Sequence, residues 1–285
     1  MRIAHLSDLH FGHHDEPLTA TLAPELDAQN LDLVVISGDF TQDGEEDEFQ
    51  MARTFIDSLN APVFAVPGNH DVPQYNLVQR ILRPYALYRR YIHNELEPIL
   101  ELGGVVLIGL RTSRRITPDM NWSNGFLDRK QIEALEGRLA KTSPSAIRVV
   151  VAHHPLLYPE TGEPKRQRRV RRADRALHKF WQLGVRLVLS GHFHLSYVRT
   201  HEVPGEVKEG VPDGLRRATA APILVAQTSS TTSTRLRGHP NAYNLIEIED
   251  DTIDIAVREW VDGKWQTRER NVEPAQDPAA TPAAA

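Results

Sequence analysis

The sequence contains no cysteine. That excludes disulfides, thiolate nucleophiles and cysteine-ligated zinc or iron–sulfur sites. Any metal centre must draw on His, Asp, Glu and Asn. No apolar run approaches the roughly 18 residues that a membrane-spanning helix needs. The opening Met1-Arg2-Ile3-Ala4-His5-Leu6 lacks the basic stretch and the long apolar stretch of a secretory leader. There is no basic excess either: the net charge is −5 and the pI about 6.2, so no global positive field points to nucleic acid. A Gly-x-Ser-x-Gly nucleophile elbow is also missing. These absences lead us to expect a cytoplasmic protein with no membrane span and no nucleic-acid partner. They leave the oligomeric state open, a homodimer included.

What is present suits a globular chain. Hydrophobic residues make up 40% of 285 positions, and the mean hydropathy is −0.41. That length accommodates one large domain or two small ones. We expect one domain over residues 1–270 and a disordered tail over 271–285, where Pro and Ala recur without periodicity. Short apolar runs predict strands at Arg2–Ser7, Leu33–Ser37, Val63–Val66, Val105–Leu110, Arg148–Ala152, Leu187–Ser190 and Ile223–Ala226. Tyr243–Glu249 and Thr252–Trp260 alternate around Asp250-Asp251 and predict a hairpin with one wet face. Helices are predicted at Leu18–Gln29, Glu45–Asn60, Leu77–Glu95, Asp128–Ala140 and Gln167–Leu183.

The thirteen histidines matter by their placement. Strand one runs into Asp8-Leu9-His10, and strand two into Gly38-Asp39. Strand three runs into Gly68-Asn69-His70-Asp71. The Arg148–Ala152 strand runs into His153-His154-Pro155, and the Leu187–Ser190 strand into Gly191-His192-Phe193-His194. In open α/β sheets, ligands bind beyond the carboxyl ends of the strands. Residues two apart on an extended segment project to the same side, so Asp8 with His10, and His192 with His194, can converge. A carboxylate such as Asp39 can bridge two cations with its two oxygens. Mixed imidazole and carboxylate donors suit Zn, Mn, Fe or Co.

In order, these blocks resemble the signature of the calcineurin-like metallophosphoesterase superfamily: D-x-H, G-D, G-N-H-[DE], H and G-H-x-H. The resemblance runs from about Met1 to His194. It implies an α/β fold, a four-layer αββα sandwich of two mixed sheets flanked by helices. It also implies two divalent metal ions, Mn, Fe or Zn. By position, Asp8, His10, Asp39 and His194 resemble the ligands of the first metal. Asp39, Asn69, His153 and His192 resemble those of the second, with Asp39 as the bridge. His70 resembles the non-ligand histidine that contacts the phosphate and protonates the leaving group. His153 is preferred to His154 because Pro155 follows at the family's H-x-P spacing. Asp71 is expected to orient an imidazole. The segments Ile36–Thr41, Val66–Asp71 and Ile108–Ser113 resemble the cyclic nucleotide phosphodiesterase branch. The function implied is hydrolysis of cyclic nucleotides or other small phosphodiesters by a metal-bridging hydroxide. A monoesterase, a nuclease and a non-catalytic metal-binding scaffold are the rival readings.

Several features lie outside that pattern. Phe193 occupies the x of G-H-x-H, and the loop from Arg111 to Trp122 carries three arginines. His5 is read as a core residue, and His13 and His14 as loop histidines. The basic run Lys165–Arg172 is expected to be a solvated helix face, with a basic lid over an anionic substrate or a nucleic-acid or acidic-membrane contact as alternatives; Thr228–Thr234 is read as a surface turn that, following a predicted strand, could reach the site rim.

Overall fold

The computed structural model describes residues 1–116, 121–160, 168–202 and 221–268. The first half of the chain forms β1 (Arg2–Leu6), α1 (Glu16–Asp27), β2 (Leu33–Ile36), α2 (Glu46–Asp57), β3 (Val63–Ala65), α3 (Leu77–Leu82), α4 (Ala86–Tyr91), β4 (Ile99–Leu102) and β5 (Val105–Leu110). The second half forms α5 (Arg129–Leu139), β6 (Ile147–Ala152), α6 (Ala173–Gln182), β7 (Val185–Ser190), β8 (Tyr197–His201), β9 (Ile223–Gln227), β10 (Ala242–Glu249), β11 (Thr252–Val261) and β12 (Lys264–Thr267).

Two mixed sheets result. One has the order β12-β11-β10-β1-β2-β3, with β1, β2 and β3 parallel and the C-terminal strands antiparallel. The other has the order β4-β5-β6-β7-β9-β8, with β5, β6, β7 and β9 parallel and antiparallel strands at both edges. Side-chain alternation assigns each strand residue to a layer. Ile3, Leu33, Val35, Val149, Val151, Leu187 and Leu189 meet between the sheets. Ala4, Leu6, Val34 and Ile36 face the opposite way, onto Leu22 and Leu26 of α1 and Phe49 and Phe55 of α2. Val150, Ala152 and Val188 pack on Leu135 of α5 and Leu177 and Phe180 of α6. The layers are therefore α, β, β, α, as the motif resemblance implies. The strands that read as continuous apolar runs are those covered on both faces.

Two predicted helices differ from those observed. Leu77–Glu95 breaks into α3 and α4 at Arg83-Pro84. Pro84 supplies no N–H and disfavours helical backbone at the residue before it, and Arg83 adopts φ −142°, ψ 58°. The helix expected from Gln167 begins only at Ala173. Val170 and Arg171 instead donate their amides to the Pro155 and Gly125 carbonyls, at 2.8 and 2.9 Å. Arg172 then turns through left-handed backbone (φ 72°). The described part of the basic run, residues 168–172, is thus a strap and not a helix face. Lys165–Gln167 and the predicted tail at 271–285 lie outside the described residues. Among the described residues, no helix is long and apolar enough to cross a membrane.

Leu189 is fully buried in the inter-sheet layer. Replacing it with Ala should cost about 2–5 kcal/mol, read as a lower urea midpoint at unchanged slope. A loss under about 1 kcal/mol would show that this layer does not hold the sheets together.

Candidate functional site

The predicted site residues come together at one rim. The turns after β1 and β2 are zipped to each other: Asp8 and His10 donate their amides to the Gly38 and Asp39 carbonyls, both at 3.0 Å. The turns after β6 and β7 are joined by the Gly191 amide on the His153 carbonyl (2.9 Å). The sheets are then tied to one another. The His192 amide donates to Asp8 Oδ2 (2.8 Å), and His153 Nδ1 donates to the Ser37 carbonyl (2.9 Å). Asp8, His10, Asp39, His192 and His194 all have positive φ, between 50° and 72°. Such backbone costs about 1–3 kcal/mol per residue and persists only where its surroundings fix it.

Each key carboxylate divides its labour. Asp8 spends Oδ2 on the His192 amide, and its Oδ1 lies 3.2 Å from His194 Nε2 and 3.7 Å from His10 Nε2. Asp39 spends Oδ1 on the His70 amide (2.8 Å). Its Oδ2 lies 3.1 Å from His153 Nε2 and 3.9 Å from His10 Nε2. One oxygen, Asp39 Oδ2, therefore faces rings from both halves of the site. Oδ1 keeps a second lone pair beside the His70 amide, so a bridge through both Asp39 oxygens is compatible with that bond.

The donor atoms form overlapping groups. Those of Asp8, His10 and His194 lie within 4.8 Å of one another, as do those of Asp8, Asp39 and His153. His10, Asp39 and His70 form a third such group, and His153, His154 and His192 a fourth. Asn69 joins through its Oδ1, 3.2 Å from His153 Nε2. Several of these buried atoms have no hydrogen-bond partner: Asp8 Oδ1, both nitrogens of His10 and Nδ1 of His194. A buried polar atom left unpaired costs about 1–3 kcal/mol. Carboxylate oxygens and imidazole nitrogens crowded together and left short of hydrogen-bond partners are what a cation-binding site presents, and these ligand types fit a divalent metal.

His153 and His154 separate clearly. His153 donates Nδ1–H to Ser37, leaving Nε2 between two acceptors, Asp39 Oδ2 and Asn69 Oδ1. His154 has both nitrogens occupied, Nδ1 by Thr112 Oγ1 (2.8 Å) and Nε2 by the Ser123 carbonyl (3.1 Å).

The electrostatics follow from burial and neighbours. Burial works against charge on His153, but Asp39 outweighs it and lifts the ring to about 9. Burial pushes His10 down to about 4 and His154 down to about 3, in the latter case with help from His153. Burial also disfavours the charged form of Asp39, yet His153, His70 and His10 together hold it below the usual carboxylate range.

His70 is half-buried and donates Nδ1–H to the Gln42 carbonyl (2.5 Å), which leaves Nε2 as its free nitrogen. Beside it and Asn69 opens a cleft of about 500 Å³ that Arg80 and Trp122 also line. Asp71 was expected to orient an imidazole; it braces backbone instead. Its Oδ2 accepts the amides of Gly68 (2.7 Å) and Asp39 (3.0 Å), and its Oδ1 that of Thr41 (3.1 Å). His5 sits in the core as expected, between Ser37 Oγ (3.0 Å) and Asn244 (3.2 Å), and burial lowers it to about 3. His13 is exposed and His14 half-buried.

For Thr228–Thr234 the structure takes the second of the two sequence readings, reach to the site rim, over the surface turn. Residues 228–233 are not a surface turn but are buried, at most 1% exposed. They extend from β9, which lies parallel to β7, and their hydroxyls reach the carbonyls of the strained turns. Ser230 Oγ donates to Asp8 O (2.7 Å), Thr232 Oγ1 to Leu9 O (2.6 Å) and Ser229 Oγ to His194 O (3.1 Å). The signal was available: a polar run directly after a parallel strand stands where the other strands deliver their site residues. Glycine is required where these loops touch. A Cβ on Gly191 would collide with Ser7 Oγ and Asp8 Oδ2, and one on Gly68 with the Asp39 carboxylate.

Comparison with known proteins agrees with this geometry. The family model for calcineurin-like phosphoesterases matches residues 1–196. A probable cyclic nucleotide phosphodiesterase from Synechococcus is 26% identical over 213 residues, covering 70% of this chain and 75% of that protein. A probable glycerophosphodiester phosphodiesterase from Arcobacter nitrofigilis is 28% identical over 125 residues, covering 44% of this chain and 42% of that one. Among solved structures, the yellow lupin purple acid phosphatase aligns with TM-score 0.63 at 14% identity, covering 94% of this chain and 52% of its own. A dimetal phosphatase from Danio rerio aligns with TM-score 0.61 at 11% identity, covering 94% and 98%. At these identities the structures speak for the fold alone.

The hydroxyl run yields a test. Thr232→Val removes the donor to the Leu9 carbonyl and should cost about 1–3 kcal/mol, whereas Thr232→Ser should retain most of the stability. Denaturant titration of both variants decides it; a valine variant as stable as the parent would remove the bracing role.

Proposed function

Because the chain belongs to the calcineurin-like phosphoesterase family, we propose that it is a binuclear metal-dependent phosphodiesterase acting on cyclic nucleotides or other small diesters. The observation that carries this reading is the convergence of buried, unpartnered carboxylate and imidazole atoms on Asp8, His10 and His194 beside Asp39. In this reading Asp8, His10, Asp39 and His194 hold one cation and Asp39, Asn69, His153 and His192 the other, with Asp39 shared. Residues 1–270 act as one unit, since both sheets supply ligands. Mn, Fe and Zn all suit the donor set.

Bound there, the two ions would polarise the phosphoryl oxygens and make a water nucleophilic near neutral pH. The protein does the rest. The rigid turns hold seven donors in place before any ligand arrives, so little reorganisation accompanies binding. His70, its Nδ1–H fixed by the Gln42 carbonyl, would protonate the departing alkoxide from Nε2 as the imidazolium and be left neutral. The cleft that opens from Asn69 and His70 receives the organic part of the ester. The likeness to a probable cyclic nucleotide phosphodiesterase in Synechococcus and a probable glycerophosphodiester phosphodiesterase in Arcobacter favours diesters over monoesters.

Two variants and one substrate panel test this. Asp39→Ala should lose both metal and turnover. His70→Ala should keep its metal and lose about 10²–10⁴-fold in rate; full activity in the metal-loaded variant would remove His70 from the proton-donor role. Metal-free protein reloaded with Mn, Zn or Fe should hydrolyse bis(p-nitrophenyl) phosphate faster than p-nitrophenyl phosphate, and cyclic AMP comparably. A dominant monoester rate would make the protein a phosphatase, and no turnover with any metal would leave a metal-binding scaffold.

A further inference from the structure

A second recess is linked to the Asn69–His70 cleft by Arg80, which lines that cleft and bonds the Arg115 carbonyl of the recess. It measures about 640 Å³ and is lined by Tyr85 and five arginines: Arg83, Arg89, Arg111, Arg114 and Arg115. The proposed hydrolysis uses none of them. Among the described residues, the one carboxylate within ion-pair reach of these guanidinium groups is Asp128, 3.4 Å from Arg114. Nearby Glu97 is engaged by the Arg111 amide (3.0 Å) and by Gln131. Burial, and then the Arg111 charge, hold Arg114 below the ordinary arginine value, which marks the crowding of like charges here.

Such crowding is self-repelling, so something must hold the scaffold. Arg80, only 2% exposed, does so from behind. It donates Nε to the Arg115 carbonyl (2.9 Å) and Nη1 to the Pro73 carbonyl (2.9 Å). Tyr85 donates its hydroxyl to the Ser113 carbonyl (2.8 Å), and Arg115 Nη1 donates to the Ile81 carbonyl (2.9 Å). The Arg111 guanidinium lies over the Tyr85 ring, 5.2 Å from its centroid. Pro84, Leu96 and Ile116 add an apolar wall. Guanidinium forks match pairs of phosphate oxygens. The contact with the buried Tyr85 ring orients Arg111. The volume falls within the roughly 300–1,000 Å³ of small-molecule sites.

We propose that this recess binds a nucleoside polyphosphate, with its phosphates on the arginines and its base against the apolar wall of Pro84, Leu96 and Ile116. Inorganic phosphates would meet the charges and leave the apolar wall bare.

Calorimetric titration of the full chain with ATP tests this, run with and without chelator, and with adenosine and inorganic triphosphate as controls. Saturable ATP binding is expected in both conditions, weakening as salt is raised. Arg89→Ala and Arg111→Ala should each weaken it roughly tenfold, the size of one charge-assisted hydrogen bond. Thermal melts check that both variants remain folded; Arg114 is left in place because it also ties the Phe126 carbonyl. The proposal fails if ATP does not saturate, if both variants bind as the parent does, or if inorganic triphosphate binds as tightly as ATP. Binding abolished by chelator would place ATP at the candidate metal centre and equally overturn it. Diester turnover plays no part in the readout, so this site and the proposed hydrolase stand or fall separately.

Discussion

Asp8 and Asp39 each hold a loop amide with one oxygen and face imidazole rings with the other. That division constrains the whole rim. The amide bonds need the turns after β1, β2, β3 and β7 to approach within hydrogen-bond distance. Close approach needs left-handed backbone at five of the seven candidate ligands and glycine at Gly68 and Gly191. Left-handed turns leave carbonyls pointing away from any sheet partner, and the buried hydroxyls of residues 229–232 collect them. Asp71 does the corresponding work from the other side, on the amides of Gly68, Asp39 and Thr41. Strain, glycine and buried hydroxyls are one arrangement, which keeps two carboxylate oxygens turned inward.

The charge distribution follows a matching logic. The chain as a whole is acidic, with net charge −5. Yet one segment, Arg111 to Arg115, gathers three guanidinium groups just past the end of β5. The same segment supplies Thr112, which occupies His154 and so removes that ring from the set of free donors. A single stretch therefore distinguishes two adjacent histidines on one side and builds a cationic recess on the other.

Much of this was legible in the sequence. Asp8, His10, Asp39, Asn69, His153, His192 and His194 follow apolar strands at spacings that bring them to one rim, and the structure gathers all seven. The inner strands were legible because burial on both faces leaves a continuous apolar run. Edge strands were not: β4, β8 and β12 are short, mix polar and apolar residues, and gain their definition from one neighbour. The break at Pro84 was overridden by the apolar periodicity around it. The run at Thr228–Thr234 reads first as an exposed turn because hydroxyl residues usually mark one, and only its place after a strand points to the rim. Here their partners are carbonyls more than 200 residues earlier, at Asp8 and Leu9, and no local pattern records so distant a contact.

His5 deserves a last look as a key cut for one lock. It lies in the otherwise apolar layer between the sheets, opposite Asn244 on β10, and its two nitrogens meet Asn244 and Ser37 on the flanking strands. A hydrophobic residue there would pack as well and would tolerate β10 in more than one alignment. With imidazole, sliding β10 by two residues keeps every apolar side chain facing inward but strands a buried nitrogen. The amino-terminal strand thus selects the alignment of a strand 239 residues later in the chain.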